Sequence, residues 1–172
     1  DSLRSRGLGD VYKRQVLGII GSRPEQPNQY AGLAPGVALY SGRVFGASGT
    51  CTNGDLAFGI DAMTGWLDNG LDLLNLSLGA PYQTEVVLDA VKAATARGTL
   101  IICAAGNSGG PVNMPASFDE TLAVGAIGRS QTYPYSNLLW ANMQPADPGR
   151  NGNWNGHDYF VPEFSCHGAG LD

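Results

Sequence analysis

Residues 71–110 read LDLLNLSLGAPYQTEVVLDAVKAATARGTLIICAAGNSGG, and this stretch decides the fold. Leu71 to Leu78 is a short apolar run ending in Gly79-Ala80-Pro81, as expected of a strand buried on both faces of a parallel sheet. Thr84 then precedes Val87, Leu88, Val91 and Ala94, which share one helical face, and Arg97-Gly98 is the stop signal. A second apolar run, Thr99 to Ala105, terminates in Gly106-Asn107-Ser108-Gly109-Gly110. Strand, helix, strand is the rhythm of a right-handed crossover between parallel strands.

Working outward, TLAVGAIG at Thr121 to Gly128 reads as a further strand. Upstream, GVALYSGRVF at Gly36 to Phe45 holds enough β-branched and aromatic residues for a buried strand entered through the Pro35-Gly36 turn. Between them a helix is expected, capped by Asp55, with Leu56, Ile60, Met63 and Leu67 on one face and Gly70 closing it. The pattern predicts an α/β fold, a three-layer sandwich around a parallel sheet. Arg129 to Glu163 has no usable period and carries Pro134, Pro145, Pro148 and Pro162 among polar and aromatic residues, so a long loop is expected there. Asp1 to Gln15 carries four of the ten basic residues and no hydrophobic period. It reads as a non-native stretch ahead of one domain over residues 16–172.

Composition narrows the function. With 10 Lys+Arg and a formal charge of -5, the chain lacks the clustered cations that nucleic-acid binding requires, so no nucleic-acid partner is expected. No apolar run reaches the ~20 residues needed to cross a bilayer, so no membrane partner is expected either. Cys51, Cys103 and Cys166 have no paired spacing and give neither a zinc site nor a closed disulfide framework.

Ligands of open parallel sheets bind beyond the carboxyl ends of the strands. The segments there are small and Gly-rich: Gly46-Ala47-Ser48-Gly49-Thr50, Ser77-Leu78-Gly79-Ala80 and Ala104-Ala105-Gly106-Asn107-Ser108-Gly109. Small residues let an extended peptide pair with the backbone, and Asn107 supplies an amide able to stabilise a developing oxyanion. The same residues also suit plain strand-to-helix turns, with Asn107 in a left-handed conformation.

Gly32-Leu33-Ala34-Pro35, Leu74-Asn75-Leu76-Ser77-Leu78-Gly79, Ala104-Ala105-Gly106-Asn107 and Leu122-Ala123-Val124-Gly125-Ala126 occur in this order. In order and spacing the chain resembles the subtilisin-like serine proteases, the subtilases, over about Val16 to Gly128, and again at Phe164-Ser165 and Gly168 to Asp172. The resemblance implies a subtilisin-like fold, here incomplete, and a secreted, monomeric endopeptidase acting on peptide or protein substrates through an Asp, His and Ser triad. It implies Asn107 as the oxyanion-hole asparagine. Gly49-Thr50-Cys51 and Ser77-Leu78-Gly79 correspond to the edges that sandwich the substrate, and Ala104-Ala105-Gly106 with Ser77-Leu78-Gly79 to the wall of the specificity pocket, one suited to a bulky apolar side chain.

The departures are as informative. The family's HGTH motif precedes a Val-x-Gly; here Val16-Leu17-Gly18 is present but Tyr12-Lys13-Arg14-Gln15 stands in the motif's place. A phenol with pKa near ~10 is protonated at neutral pH and is no general base. The aspartate and Gly-Thr-Ser-Met motifs also have no counterpart in these residues. His157 and His167 read as loop histidines, Cys103 as core, and Ser77 as a pocket wall without a base; Cys51 flanks substrate or pairs with a cysteine elsewhere. Structural calcium occurs in the family, but Ser22 to Asn28 offers one carboxylate, Glu25, and two prolines, so no metal and no other cofactor is expected.

Two other readings compete: a pseudoprotease retaining only the peptide-binding edges, and a nucleotide-binding α/β domain, which would need a Gly-x-Gly-x-x-Gly turn that is not found. The expected behaviour of this chain is no hydrolysis of peptides above background and no labelling by a serine-directed fluorophosphonate; robust labelling in a gel assay would overturn the triad assignment.

Overall fold

The computed structural model describes residues 8–65, 70–129 and 159–168, with side chains of the first helix described from Gln15 onward. The expectations at Leu67, at His157 and over most of 129–163 lie outside them. In chain order the elements are α1 (Leu8–Gly21), α2 (Asn53–Gly65), β1 (Leu73–Leu76), α3 (Glu85–Ala96), β2 (Leu100–Ala104), β3 (Leu122–Val124), β4 (Gly128–Arg129) and β5 (Tyr159–Phe160).

The three strands expected at 71–78, 99–105 and 121–128 form one parallel sheet in the order β1-β2-β3. Leu73 stands opposite Leu100 and Leu76 opposite Cys103, while Ile102 and Ala104 stand opposite Leu122 and Val124. Leu74, Leu76, Ile101, Cys103 and Ala123 point into a core shared with Ile60 of α2 and Val87 and Val91 of α3. α2 packs on α3, and α3 on β2. On the opposite face Leu73, Leu100 and Val124 are 54%, 48% and 48% exposed. The parallel sheet with helices packed on it is the expected α/β sandwich in incomplete form, with this face open among the described residues.

α3 starts after Thr84 and ends at Arg97, whose backbone N–H donates to the Ala94 carbonyl (3.1 Å), with Gly98 at φ 92 continuing the turn. A side-chain-bearing residue is disfavoured at that φ, so Gly98 suits the stop.

Asp55 plays a different part from the expected cap. It is the third residue of α2; Thr52 caps, accepting the Asp55 N–H at Oγ1 (3.1 Å), while Asp55 Oδ2 accepts both the N–H (3.1 Å) and the hydroxyl (2.6 Å) of Thr52. This is a reciprocal capping box with Asp in the place usual for Glu. The Thr52 hydroxyl, and then its N–H, holds the Asp55 carboxyl below its ordinary range.

The buried strand expected at Gly36 to Phe45 is not formed: the segment has no ladder among the described residues, and Val37, Leu39 and Tyr40 are 39%, 43% and 54% exposed. Side chains take two of its carbonyls, since the Arg23 guanidinium donates to those of Val37 (3.0 Å) and the preceding Pro35 (2.7 Å), and Arg43 Nε to that of Phe45 (3.0 Å). Its side chains rest on helices: Leu39 lies over Gly21, Val44 over Gly59. α1 is tied to the same region, with the N–H groups of Leu33 and Ala34 donating to the carbonyls of Ile19 (2.9 Å) and Ile20 (2.7 Å).

Ile101 has no exposed surface, so Ile101→Ala is expected to cost ~2–5 kcal/mol, whereas Thr52→Ala removes one cap and should cost ~1 kcal/mol. Urea midpoints of the two variants check the order; a cost at Ile101 no larger than at Thr52 would place the core elsewhere.

Candidate active site

Beyond the carboxyl ends of β1, β2 and β3 the chain leaves the sheet in three small-residue turns, and an open cavity of about 290 Å³ lies among them. Asn75 and Ser77 line it from β1, Ile102 through Asn107 from β2, and Val124 to Ala126 from β3. The structure thus brings together five of the residues singled out in the sequence: Ser77, Ala104, Ala105, Gly106 and Asn107. Gly49, Thr50, Cys51, Leu78 and Gly79 are not among its walls.

The shape of the β2 turn follows from its glycines. Gly106 has φ 119, and a Cβ there would stand 2.5 Å from Asn113 Nδ2 and 2.8 Å from Cys166 Sγ. Gly109 has φ 66, and a Cβ there would stand 2.6 Å from the Glu163 carbonyl oxygen. Neither position tolerates a side chain on grounds of conformation or of space. The turn is tied on both sides: Asn113 N–H donates to the Ala105 carbonyl (2.9 Å) and Cys166 N–H to the Gly106 carbonyl (3.0 Å). Asn107 is exposed on this turn, and its side-chain amide has no hydrogen-bond partner among the described residues.

The other polar groups of the lining are few. Asn75 Nδ2 donates to Ser77 Oγ (2.9 Å), leaving the Ser77 hydroxyl proton free to point elsewhere. On the β3 side Ala126 N–H donates to Ser165 Oγ (2.9 Å), a buried hydroxyl that fixes the third turn. The lining contains no histidine and no charged residue. Ser77 therefore has no base among the cavity's lining residues. His167, exposed, has Nδ1 3.4 Å from the Ser165 carbonyl oxygen and is not in the lining. Burial pushes the Cys103 thiol up to about 12, against a smaller lowering by the Thr121 hydroxyl, so Cys103 is a core residue and not a nucleophile.

The remaining expected residues have local roles. Gly46 to Thr50 is a tight turn closed by Gly46 N–H to the Thr50 carbonyl (3.0 Å), with Gly49 at φ 76. Cys51 is half-buried against the core, and no cysteine is disulfide-bonded within the described residues. Gly79 lies under the Met114 carbonyl, and Ala80 pairs with Met114 in an isolated antiparallel bridge. Asn75, Ile102 and Val124 went unnoticed in the sequence, although strand periodicity marks them: they alternate with the buried Leu74, Leu76, Ile101, Cys103 and Ala123.

A helix-backed parallel sheet carrying a small-walled cavity at its carboxyl end, with an asparagine amide that has no partner among the described residues, defines an α/β protein. The subtilase family model matches residues 15–157, and the chain belongs to that family. It is 36% identical over 122 residues to Subtilisin Savinase of Lederbergia lenta, covering 70% of this chain and 44% of that protein. It is 36% identical over 143 residues to Alkaline elastase YaB of Bacillus sp. (strain YaB), covering 82% and 36%. Among solved structures it superposes on S41 Psychrophilic Protease with a TM-score of 0.66 at 26% identity, covering 90% of this chain and 44% of that one. The chain spans less than half the length of these relatives.

The thiol of Cys103 moves from an ordinary 9.0 to about 12 on folding. Between those pH values the unfolded chain has released a proton that the folded chain keeps. Stability from this group is thus complete below about pH 9 and falls above it, by up to ~1.4 kcal/mol per pH unit. Urea midpoints compared between wild type and Cys103→Ala from pH 8 to 11 should converge as pH rises; parallel curves would show that the thiol is not buried.

Proposed function

We propose that this chain forms part of the catalytic domain of a secreted, monomeric serine endopeptidase. In this reading the Asn107 side-chain amide donates to the oxyanion that forms when a peptide carbonyl is attacked. The observation that carries it is the Asn107 amide, without a partner among the described residues, on the rim of a cavity walled by Ser77, Ala104, Ala105 and Gly106. An extended substrate lies between Gly49-Thr50-Cys51 and Ser77-Leu78-Gly79, and its apolar side chain enters the cavity. Nucleophile, base and orienting carboxylate come from parts of the protein other than these residues, and the chemistry needs no metal. The reading draws support from relatives named as proteases, with 36% identity over 70% and 82% of the chain.

A neutral amide suits this role because it is directed at charge that appears in the transition state and interacts weakly with the ground-state carbonyl. Among the described residues the lining carries no charged group, which keeps the cavity favourable to apolar side chains. Tyr12-Lys13-Arg14-Gln15 standing in place of the HGTH motif favours a second reading, a pseudoprotease that binds peptides without cutting them.

Reading the source DNA outward through Asp1 and Asp172 separates the two. A frame supplying His-Gly-Thr-His before Val16 and Gly-Thr-Ser-Met after Asp172 is expected, and in the protein so expressed Asn107→Ala should lower kcat by ~10²–10³ with KM little changed. An unchanged kcat removes Asn107 from the mechanism. A start ahead of Asp1 and a stop after Asp172 leave the peptide binder.

A further inference from the structure

Residues Phe164 to His167 lie along the turn that carries Asn107. Gly109 N–H donates to the Phe164 carbonyl (2.7 Å), Cys166 N–H to the Gly106 carbonyl (3.0 Å) and His167 N–H to the Gly110 carbonyl (3.0 Å). Within this strap one side chain reaches both chain neighbours of Asn107. The Cys166 sulfur fills the space a Cβ on Gly106 would occupy, 2.8 Å from that position, and lies 3.2 Å from Ser108 Oγ, within hydrogen-bonding range for sulfur. Cys166 has no exposed surface and does not line the cavity. It does not face a substrate bound in the cavity.

We infer that Cys166 is the positioning residue for Asn107: its sulfur, held under Gly106 and against Ser108, fixes the turn from which the amide points. An amide acting on an oxyanion must be held within about 0.5 Å of its productive place, and rigid support from packed neighbours is what supplies that. Burial acts to raise the thiol's pKa, yet the Ser108 hydroxyl and the backbone N–H groups of Ser108, Gly110 and Gly109 outweigh it and lower it overall. Donors therefore converge on the sulfur, which is what an anchoring acceptor requires. What the ordered turn does to chemistry rests on the peptidase reading; the ordering itself does not.

The test is ¹⁵N relaxation of this 172-residue chain, with no substrate. In wild type and in Cys166→Ser, which keeps an acceptor, order parameters at Asn107 to Gly110 should match those of β2, near ~0.85, and the Asn107 side-chain amide should keep its shifts. In Cys166→Ala they should fall below ~0.6 at Asn107 to Gly110 while β2 stays near ~0.85. An equally ordered turn in Cys166→Ala overturns the inference. So does a loss shared by β2, which would make Cys166 a general packing residue, and so does failure of Cys166→Ser to restore order. Ser108→Ala attacks the contact from the exposed side without opening the core; it should loosen the turn in wild type and add nothing in the Cys166→Ala background. Additive loosening would show that the two groups do not act together. Should Asn107→Ala leave the longer protein's kcat unchanged, the peptidase role falls while these results stand.

Discussion

Everything described here takes its position from β2. It is bonded on both edges, to β1 through the Leu73–Leu100 to Leu76–Cys103 register and to β3 through Ile102–Leu122 to Ala104–Val124. Because strand residues alternate, that register commits Ile101 and Cys103 to the helix side together with Leu74, Leu76 and Ala123. The same choice sends Asn75, Ile102, Ala104 and Val124 to the other face, where the cavity lies. A slip of one residue would put Ile102 into the core and turn Cys103 and Ala105 outward. The apolar contacts with Val87 and Val91, which have no exposed surface, are therefore what keeps the site's residues on the site's side.

At the end of β2 a second constraint takes over, one of space. Gly106 and Gly109 sit at positive φ with other atoms occupying the volume a side chain would need. The turn's carbonyls and N–H groups are then satisfied from outside, by Asn113 on one flank and by Phe164, Cys166 and His167 on the other. The turn is thus held from outside at several points, while the Asn107 side-chain amide has no partner among the described residues.

Much of this was legible in the sequence, for identifiable reasons. Runs such as LDLLNLSL and TLIICAA are too short and too apolar for surface helices, and each stops in small residues, so the parallel sheet and the strand-end location of Ser77 and Ala104 to Asn107 followed together. Asn75, Ile102 and Val124 were equally available from the period of two. The Gly36 to Phe45 segment shows the limit of the method: β-branched and aromatic residues record a preference for a pleated, covered surface, but a strand exists only where a neighbour completes its ladder. Arg23 and Arg43 hold its carbonyls instead. The incomplete sandwich was legible as well: Leu73, Leu100 and Val124 are apolar on a face left open among the described residues, as part of a three-layer fold would leave it. Ser165 and Cys166 were beyond reach for another reason. Their contacts with Ala126 and Ser108 join residues 39 and 58 positions apart, and no local period reports a contact of that span.

The two cysteines near the site show how environment, not residue type, sets a thiol's part. Cys103 lies among Leu76, Ile101 and Ala123 with little to hold a charge, and its thiol is pushed up to about 12. Cys166 is as fully covered, yet it faces the Ser108 hydroxyl and the N–H groups of a glycine turn, and its thiol is lowered. Desolvation raises both thiols but weighs much more heavily on Cys103, which lies deeper among apolar side chains. The rest of the difference is the supply of donors at Cys166, where Gly106 and Gly109 bend the backbone beside the sulfur. The glycines that shape the Asn107 turn thus also make Cys166 the group to which the turn can be fastened, which ties the geometry of the one to the chemistry of the other.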